Sequence, residues 1–358
     1  MMSENRTRKV QEWIKEQGLD AALVYSPANR RYLSGFAGST GYALLTEHET
    51  YFLVDFRYWE QAGRQCPGWE IVKIFQEADV FAWLKEHQIQ RLGVEKEFMT
   101  LCFFERLKQF CGIMDTEPVD RLLTELRMVK DEEEIKKIRR ACEITDLAFA
   151  HVLTKIAEGM SETDIDRILQ DYMRQYPEVD CMADRFIVAS GAHGALPHGI
   201  AGARKICKGD FITMDFGCNC QGYWSDVTRT VCLGKASETQ KEIYEITLEA
   251  QRAAIAAAAP GKTGKEIDGV ARDVISKRGY GEYFGHGLGH SFGLEIHEAP
   301  RFSQNQACDI PMEPGMIMTV EPGIYLPGFG GVRIEDDILV TQTGCENLTK
   351  AAKELIEL

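Results

Sequence analysis

The sequence predicts two domains of different architecture: an α/β domain in the first third, and a second domain built on an internal duplication. The chain has 358 residues, which is more than one ordinary domain usually holds. Residues 1–126 alternate short apolar strands with helices, a pattern typical of an α/β layer structure. Residues 127–358 repeat the same short motifs in the same order, which indicates duplication.

The elements of the first domain follow from hydrophobic periodicity and turn residues. Arg6–Gln17 has apolar residues at helical spacing, and Gly18 follows as a stop signal. Two apolar runs, 42–45 and 51–54, are predicted to be the strands of a hairpin. The remaining predictions are strands at 21–25, 71–74 and 92–94, a helix at 80–86 and a glycine-rich loop at 35–41.

A charged segment, residues 127–135, opens the second domain and is predicted to be the solvated start of a long helix. Its three consecutive glutamates suit a first helical turn, where the helix dipole is positive. We expect this helix to continue to about Ala157. Its candidate core positions are Ile135, Ile138, Cys142, Leu147 and Leu153.

Two helix starts in the second domain carry the same signature. Ser161 is followed three residues later by Asp164, and Thr263 is followed in the same way by Glu266. This Ser/Thr-x-x-acid pattern is typical of a helix N-terminus.

Two apolar strands also match each other. Residues 212–217 (ITMDFG) and 318–323 (MTVEPG) each carry one carboxylate and then reach a glycine. Each is followed by a second predicted strand with another carboxylate, Asp226 in the first case and Glu335 in the second. We therefore predict two related hairpins that face each other across a pseudo-two-fold axis.

Composition excludes several classes of function. The formal net charge of −14 argues against a nucleic-acid partner, because binding phosphates requires surplus positive charge. The longest apolar run near a helix end, 253–259, is far shorter than the roughly 20 residues of a membrane span. The N-terminus lacks the apolar core of a signal peptide. With eleven scattered cysteines, these features predict a cytoplasmic protein with reduced thiols.

The repeated carboxylates point to a metal centre. An acid within an apolar strand is costly to bury unless it is paired or binds a cation. Four converging acids would repel one another, whereas a pair of divalent cations would hold them together. His290, in a glycine-rich segment, is the candidate fifth ligand, and His286 competes with it. Four oxygens and one imidazole suit Mn²⁺, Co²⁺ or Fe²⁺.

The motifs in combination resemble those of the pita-bread metallopeptidases, and within them the proline-specific Xaa-Pro aminopeptidases and Xaa-Pro dipeptidases (prolidases). The resemblance covers nearly the whole chain. It implies a creatinase/prolidase-type N-terminal domain over residues 1–126 and an α+β pita-bread catalytic domain over residues 127–358. The motifs are LPHG at 196–199, MDFG at 214–217, SDVTRT at 225–230, GLGH at 287–290, IHE at 296–298, EPGIY at 321–325 and VRIED at 332–336.

The resemblance implies a role for each acid and for His290. Asp215 would chelate one metal ion, His290 and Glu321 the other, and Asp226 and Glu335 would bridge the two. Manganese is the expected metal, with cobalt, iron and zinc as alternatives. All five ligands are present, which argues against a non-catalytic relative.

The same resemblance implies a mechanism of metal-assisted amide hydrolysis. Glu321 would accept a proton from the attacking water, and His198 and His297 would stand on the substrate side. Arg333 would hold Glu335 or another metal ligand, with an ordinary strand arginine as the alternative. Arg301 would hold a dipeptide's C-terminal carboxylate, with a surface cation as the alternative.

The first hypothesis for function is an Xaa-Pro aminopeptidase, and the second is an Xaa-Pro dipeptidase. A methionine aminopeptidase is disfavoured by the large N-terminal domain. A peptide-binding scaffold on the same fold is the outsider. The expected partners are proline-containing peptides and a second copy of the chain in a homodimer.

Overall fold

The computed structural model describes residues 2–113 and 115–358, which divide into a first compact unit ending at Arg127 and a second spanning Met128–Leu358. The first unit carries one sheet of mixed direction with strand order β4-β3-β2-β1-β5-β6. Its elements are α1 Met2–Gln17, β1 Ala21–Val24, α2 Pro27–Ser34, β2 Tyr42–Leu45, β3 Thr50–Val54, α3 Trp59–Gln65, β4 Glu70–Lys73, α4 Glu77–Glu86, β5 Arg91–Val94, α5 Leu101–Cys111, β6 Asp115–Pro118 and α6 Asp120–Met128.

The predicted elements of the first unit are present, and β2 and β3 form the predicted antiparallel hairpin. Helix α2 was not predicted, because its eight residues are too few to show a clear helical period. Its start is nevertheless encoded locally. Ser26 accepts a hydrogen bond from the Asn29 N–H, and Pro27 occupies the first helical turn, where its missing N–H costs nothing.

The second unit contains two successive sets of paired helices and strands. Its elements are α7 Glu132–Leu153, α8 Glu162–Met173, β7 Val179–Cys181, β8 Ile187–Ser190, β9 Phe211–Phe216, β10 Asn219–Cys220, β11 Tyr223–Trp224, β12 Val227–Cys232, α9 Glu238–Ala257, α10 Gly264–Lys277, β13 Gly289–Ser291, β14 Glu298–Phe302, β15 Ile317–Val320, β16 Gly323–Leu326, β17 Gly330–Arg333, β18 Asp336–Val340 and β19 Cys345–Asn347.

The predicted duplication is confirmed by the order of these elements. In the first half, helices α7 and α8 precede the antiparallel pair β9–β12, and in the second half α9 and α10 precede the antiparallel pair β15–β18. A short two-stranded ribbon lies between the strands of each pair: β10–β11 in the first half and β16–β17 in the second. Each half therefore presents the same strand–ribbon–strand unit.

Each half also has its own apolar core between helices and sheet. In the first half, Ile144 and Leu169 of the helices pack with Ile212 of β9. In the second half, Ile267 of α10 belongs to the same cluster as Met318 of β15. Burial of these side chains holds the helix pairs against the strands that carry the acids.

The long helix differs from its prediction in two ways. It ends at Leu153 rather than near Ala157, and Leu147 is exposed rather than part of the core. The buried stripe of α7 includes the predicted core positions Ile138 and Cys142 and continues through Thr145, Phe149 and Val152 at helical spacing. Leu147 lies outside that stripe. It was predicted to be in the core only because it is apolar.

None of the helices in the described ranges combines the length and apolar character needed to cross a bilayer.

The two repeated helix starts provide a test of local stability. Thr263 accepts a hydrogen bond from the Glu266 N–H, and the Glu266 carboxylate accepts one from the Thr263 N–H, at 3.3 Å and 2.9 Å. We expect Thr263→Ala to lower the free energy of unfolding by about 1 kcal/mol, because an N-terminal N–H loses its partner. Urea unfolding checks this. Thr263→Ser, which keeps the hydroxyl, serves as the control and should change stability little.

Candidate metal centre

Four carboxylates of the second unit meet at the ends of the paired strands. Asp215 lies in β9, Asp226 directly precedes β12, Glu321 directly follows β15, and Glu335 directly precedes β18. Three of the four therefore lie just outside a strand rather than within one. Because each half contributes two acids, the duplicated strands bring all four to one cavity.

Two glycines allow the backbone to approach closely around these acids. A Cβ atom at Gly217 would lie 1.9 Å from the Ser225 carbonyl oxygen, and one at Gly289 would lie 2.1 Å from the Thr319 carbonyl oxygen. No side chain fits at either position. Gly217 closes the ribbon that separates Asp215 from Asp226, and Gly289 brings the strand of His290 beside β15.

His290 points its Nε2 atom at the acids. This nitrogen lies 3.5 Å from Glu321 Oε1 and 3.7 Å from Asp226 Oδ2. On the other side of the ring, Nδ1 lies 3.1 Å from the Ser291 carbonyl oxygen. That carbonyl can only accept, so Nδ1 carries the hydrogen and Nε2 is left with a lone pair.

Burial and repulsion together shape the electrostatics of the site. Loss of water raises the pKa of Asp226 and of Glu335 well above the ordinary range, and the neighbouring carboxylates raise both further. Burial also raises the pKa of Glu321 to about 8, although the nearby Arg333 opposes the rise. Burial lowers the pKa of His290 to about 3, which keeps the imidazole neutral.

These residues fit a site for hard divalent cations. One ligand atom from each of Asp226, His290 and Glu335 lies within 4.8 Å of the others. Carboxylate oxygens with one neutral imidazole form a donor set that such cations favour. Bound cations would also remove the repulsion that raises the pKa values of the acids.

His286 is not brought to the acids. Its Nδ1 atom lies 2.7 Å from the Gly287 carbonyl oxygen, and its Nε2 atom lies 2.9 Å from the Tyr325 hydroxyl. Both ring nitrogens are thus engaged by neighbours. Burial lowers the pKa of His286 to about 4, as expected for a neutral imidazole that joins two polar groups.

Arg333 connects several parts of the site from a buried position. Its guanidinium donates to Asp215 at 2.6 Å, to the Tyr325 hydroxyl at 2.9 Å and to the Pro197 carbonyl oxygen at 3.2 Å. Its Nε donates to Thr228 Oγ1, which in turn donates to Glu335 at 2.6 Å. Arg333 therefore bonds Asp215 directly and reaches Glu335 through Thr228.

The residues predicted for the substrate side line the same cavity, whose volume is about 490 Å³. The rings of His290 and His297 meet edge to face, with centroids 4.5 Å apart. Arg301 is the register partner of His290 on the adjacent strand. All nine predicted site residues line this cavity: His198, Asp215, Asp226, His290, His297, Arg301, Glu321, Arg333 and Glu335.

Sequence reasoning missed three groups of residues at this site. Thr228 and Thr319 hydrogen-bond Glu335 and Glu321, and Tyr325 joins Arg333 to His286. These residues lie inside or beside the recognised motifs, but no spacing rule assigns them a partner. The wall of the cavity also includes Phe186 and Trp224, which carry no local signal of function.

Two family models match the chain. The model "Metallopeptidase family M24" matches residues 136–342, and the model "Creatinase/Prolidase N-terminal domain" matches residues 6–129. The first of these spans more than half of the chain and contains every residue of the cavity.

Curated and solved relatives extend over the whole chain. An Xaa-Pro dipeptidase of Pyrococcus horikoshii is 40% identical, and the alignment covers 98% of both chains. The structure of an Xaa-Pro dipeptidase from Bacillus anthracis is 43% identical, with a TM-score of 0.95 over 99% of this chain and 100% of that one. The structure of an X-Pro aminopeptidase from Thermotoga maritima is 38% identical, with a TM-score of 0.89 over 95% and 98%.

Metal binding can be measured through thermal stability. We expect Mn²⁺ at about 100 times its dissociation constant to stabilise the chain by about 2.7 kcal/mol, because the folded state alone holds the assembled ligands. Glu335→Gln should abolish this response while leaving metal-free stability unchanged or higher, because one source of repulsion is lost. A thermal melt with Mn²⁺ and with EDTA checks both.

The control is Glu238→Gln, at a carboxylate that is 92% exposed on helix α9. It should respond to Mn²⁺ as the unmodified chain does. A full Mn²⁺ response in Glu335→Gln would contradict the assignment of Glu335 as a ligand.

The guanidinium of Arg333 provides a second test. Arg333→Lys keeps the charge but loses the fork that reaches Asp215 and Thr228 together. We expect Mn²⁺ affinity to fall about 10-fold or more, as is usual when the partner of a ligand is removed. Calorimetric titration checks this, with Arg139→Lys, in an exposed ion pair with Glu346, as the control. Unchanged affinity would exclude Arg333 as the support of the ligands.

Proposed function

Since this chain belongs to metallopeptidase family M24, we propose that it is an Xaa-Pro dipeptidase, which hydrolyses the bond before proline in dipeptides. One observation carries the proposal: Arg301 lines the same cavity as the acids and His290, and pairs in register with His290. A cation at that place can hold the C-terminal carboxylate of a substrate whose scissile bond is one residue away.

The relatives favour the dipeptidase over the aminopeptidase that the sequence placed first. The curated relative from Pyrococcus horikoshii and the structure from Bacillus anthracis are both named Xaa-Pro dipeptidase, and both align over nearly the full chain. The metal-binding motifs do not separate the two activities. The names of these relatives, together with Arg301, support the dipeptidase as the first candidate.

The residues of the cavity divide into two roles. Asp215, Asp226, His290, Glu321 and Glu335 would hold two divalent ions, with manganese expected first. Such ions, when bound, lower the pKa of a water molecule and polarise the scissile carbonyl group.

The remaining steps belong to protein groups. Glu321 would accept the proton of the attacking water, since its carboxylate borders the acid cluster and lies 3.5 Å from His290 Nε2. His198 and His297 would donate hydrogen bonds to the carbonyl oxygen as negative charge develops there. The pKa of His297 is lowered by burial and then by Arg301, so in the free cavity the ring is neutral and donates through one nitrogen.

An Xaa-Pro bond needs this kind of site. Proline has no N–H to donate to an extended enzyme strand, and its ring fixes the backbone. The cavity offers side-chain contacts in place of a strand, with the rings of His297, Phe186 and Trp224 in its wall.

We further propose residues 1–126 and 127–358 as the two domains and a homodimer as the assembly.

An X-Pro aminopeptidase is the second candidate. The structure from Thermotoga maritima that carries this name is 38% identical over 95% of this chain. In that case Arg301 would contact the peptide chain beyond proline rather than a terminal carboxylate.

Two substrates separate the candidates. We expect the Mn²⁺-loaded protein to hydrolyse Ala-Pro and to cleave Ala-Pro-Ala poorly, because only the dipeptide places its carboxylate at Arg301. Arg301→Met should raise the KM for Ala-Pro about tenfold or more, in line with the loss of a hydrogen bond to a charged group. Steady-state kinetics with an EDTA blank measures both.

The matched control is Arg278→Met, since Arg278 forms an exposed ion pair with Glu249 on the outside of the helices. Its KM should equal that of the unmodified chain. Cleavage of Ala-Pro-Ala at the rate of Ala-Pro, or an unchanged KM in Arg301→Met, would favour the aminopeptidase. Absence of cleavage of either peptide by folded, metal-loaded protein would revive the peptide-binding scaffold.

A further inference from the structure

His290 and His297, two of the histidines that line the cavity, lie in or beside an irregular strand pair. Strand β13 pairs with β14, and the register partners are His290 with Arg301 and Ser291 with Glu298. His290 and Ser291 are consecutive on β13, but their partners on β14 are three positions apart. Strand β14 therefore has two extra residues, 299 and 300, which form a bulge. A bulge interrupts the backbone ladder and redirects side chains, so the ladder alone controls this register weakly.

Lys130 joins the two residues at which the register changes. Its Nζ donates to Ser291 Oγ at 2.9 Å and lies 3.3 Å from Glu298 Oε2. The ion pair is deeply buried: the Lys130 side chain is 1% exposed and the Glu298 side chain 5%. This overturns the expectation that the charged segment 127–135 is simply solvated.

The backbone at Lys130 is held by hydrogen bonds of its own. Its backbone N–H donates to the Gly315 carbonyl oxygen at 3.0 Å, and Asp131 next to it caps helix α7. The ammonium group thus approaches the β13–β14 pair from a separate, hydrogen-bonded part of the same unit.

Both residues that Lys130 contacts are tied to a histidine. Ser291 follows His290 in the chain, and its carbonyl oxygen accepts from His290 Nδ1. Glu298 follows His297, and its Oε1 accepts from the Glu295 N–H in the loop that leads to His297.

The ion pair is tightly packed against its surroundings. A Cβ atom at Gly293 would lie 3.1 Å from one Glu298 carboxylate oxygen and 3.2 Å from Lys130 Cε. The loop between the two histidines is therefore packed directly against the ion pair.

A buried ion pair adds little to stability, because the cost of removing two charges from water offsets their attraction. Its effect here is on geometry. We infer that Lys130 is a positioning residue, which clamps Ser291 to Glu298 and so sets the spacing of His290, His297 and Arg301 around the peptide. The part of this inference that concerns the peptide rests on the proposed function.

Three variants separate positioning from stability. Lys130→Met removes the ammonium group that contacts the buried Glu298 carboxylate, so it should lower both the melting temperature and substrate binding. Adding Glu298→Gln removes that charge while its amide oxygen can still accept from Glu295. Lys130→Arg keeps a cation and should restore part of both. Leu169→Ala, a buried truncation in helix α8 outside the strand pair, is the control for destabilisation alone.

Two readouts are needed. The first is the KM for Ala-Pro, which we expect to rise about tenfold or more in Lys130→Met, as is usual for the loss of such a supporting contact. The second is the visible absorption spectrum of the Co²⁺-loaded protein, which reports the position of His290 without requiring peptidase activity.

The expected result is that the double variant regains its melting temperature but keeps the raised KM and the altered Co²⁺ spectrum, while Leu169→Ala changes only the melting temperature. Recovery of all three properties by the double variant would overturn the inference, as would an unaltered KM and spectrum in Lys130→Met. If the unmodified chain does not cleave Ala-Pro, the proposed function fails, and the Co²⁺ spectrum alone decides the role of Lys130.

Discussion

The second unit is organised by one electrostatic constraint: four carboxylates lie together at one cavity. Burial raises the cost of ionising Asp226 and Glu335, and the neighbouring carboxylates add to that cost. Nearby donors reduce it only in part. Thr228 donates to Glu335, and Arg333 donates to Asp215 and Thr228, so a single guanidinium supports acids from both halves. The remaining unfavourable charge is what a divalent cation would neutralise.

Another part of the cavity wall is built on a different principle. His290, His297 and Arg301 lie in or beside the bulged pair β13–β14, and their neighbours fix them through side chains rather than through a regular ladder. Lys130 and Glu298 are central to this arrangement because they connect that pair to the start of helix α7. The acids are thus placed by strand ends, and His290 and His297 by a buried ion pair.

Local patterns in the sequence predicted much of this structure. The repeated strand motifs led to the four acids and to the duplication, because a carboxylate at the end of an apolar run is informative by itself. The failures concern contacts between distant residues. Lys130 reads as a solvated charge until Ser291 and Glu298, more than 160 positions away, are brought beside it. The core prediction for Leu147 was wrong for a similar reason, because tertiary packing determines which stripe of a helix is buried.

The division of ligands between the halves has a consequence for folding. Asp215 and Asp226 belong to the first strand–ribbon–strand unit, whereas Glu321 and Glu335 belong to the second. A cation that contacts members of both pairs acts as a cross-link, and its binding energy is also energy of adhesion between the halves. Loss of the metal would then weaken the contact between the two duplicated halves. Metal binding would therefore contribute to the stability of the second unit as well as to its chemistry.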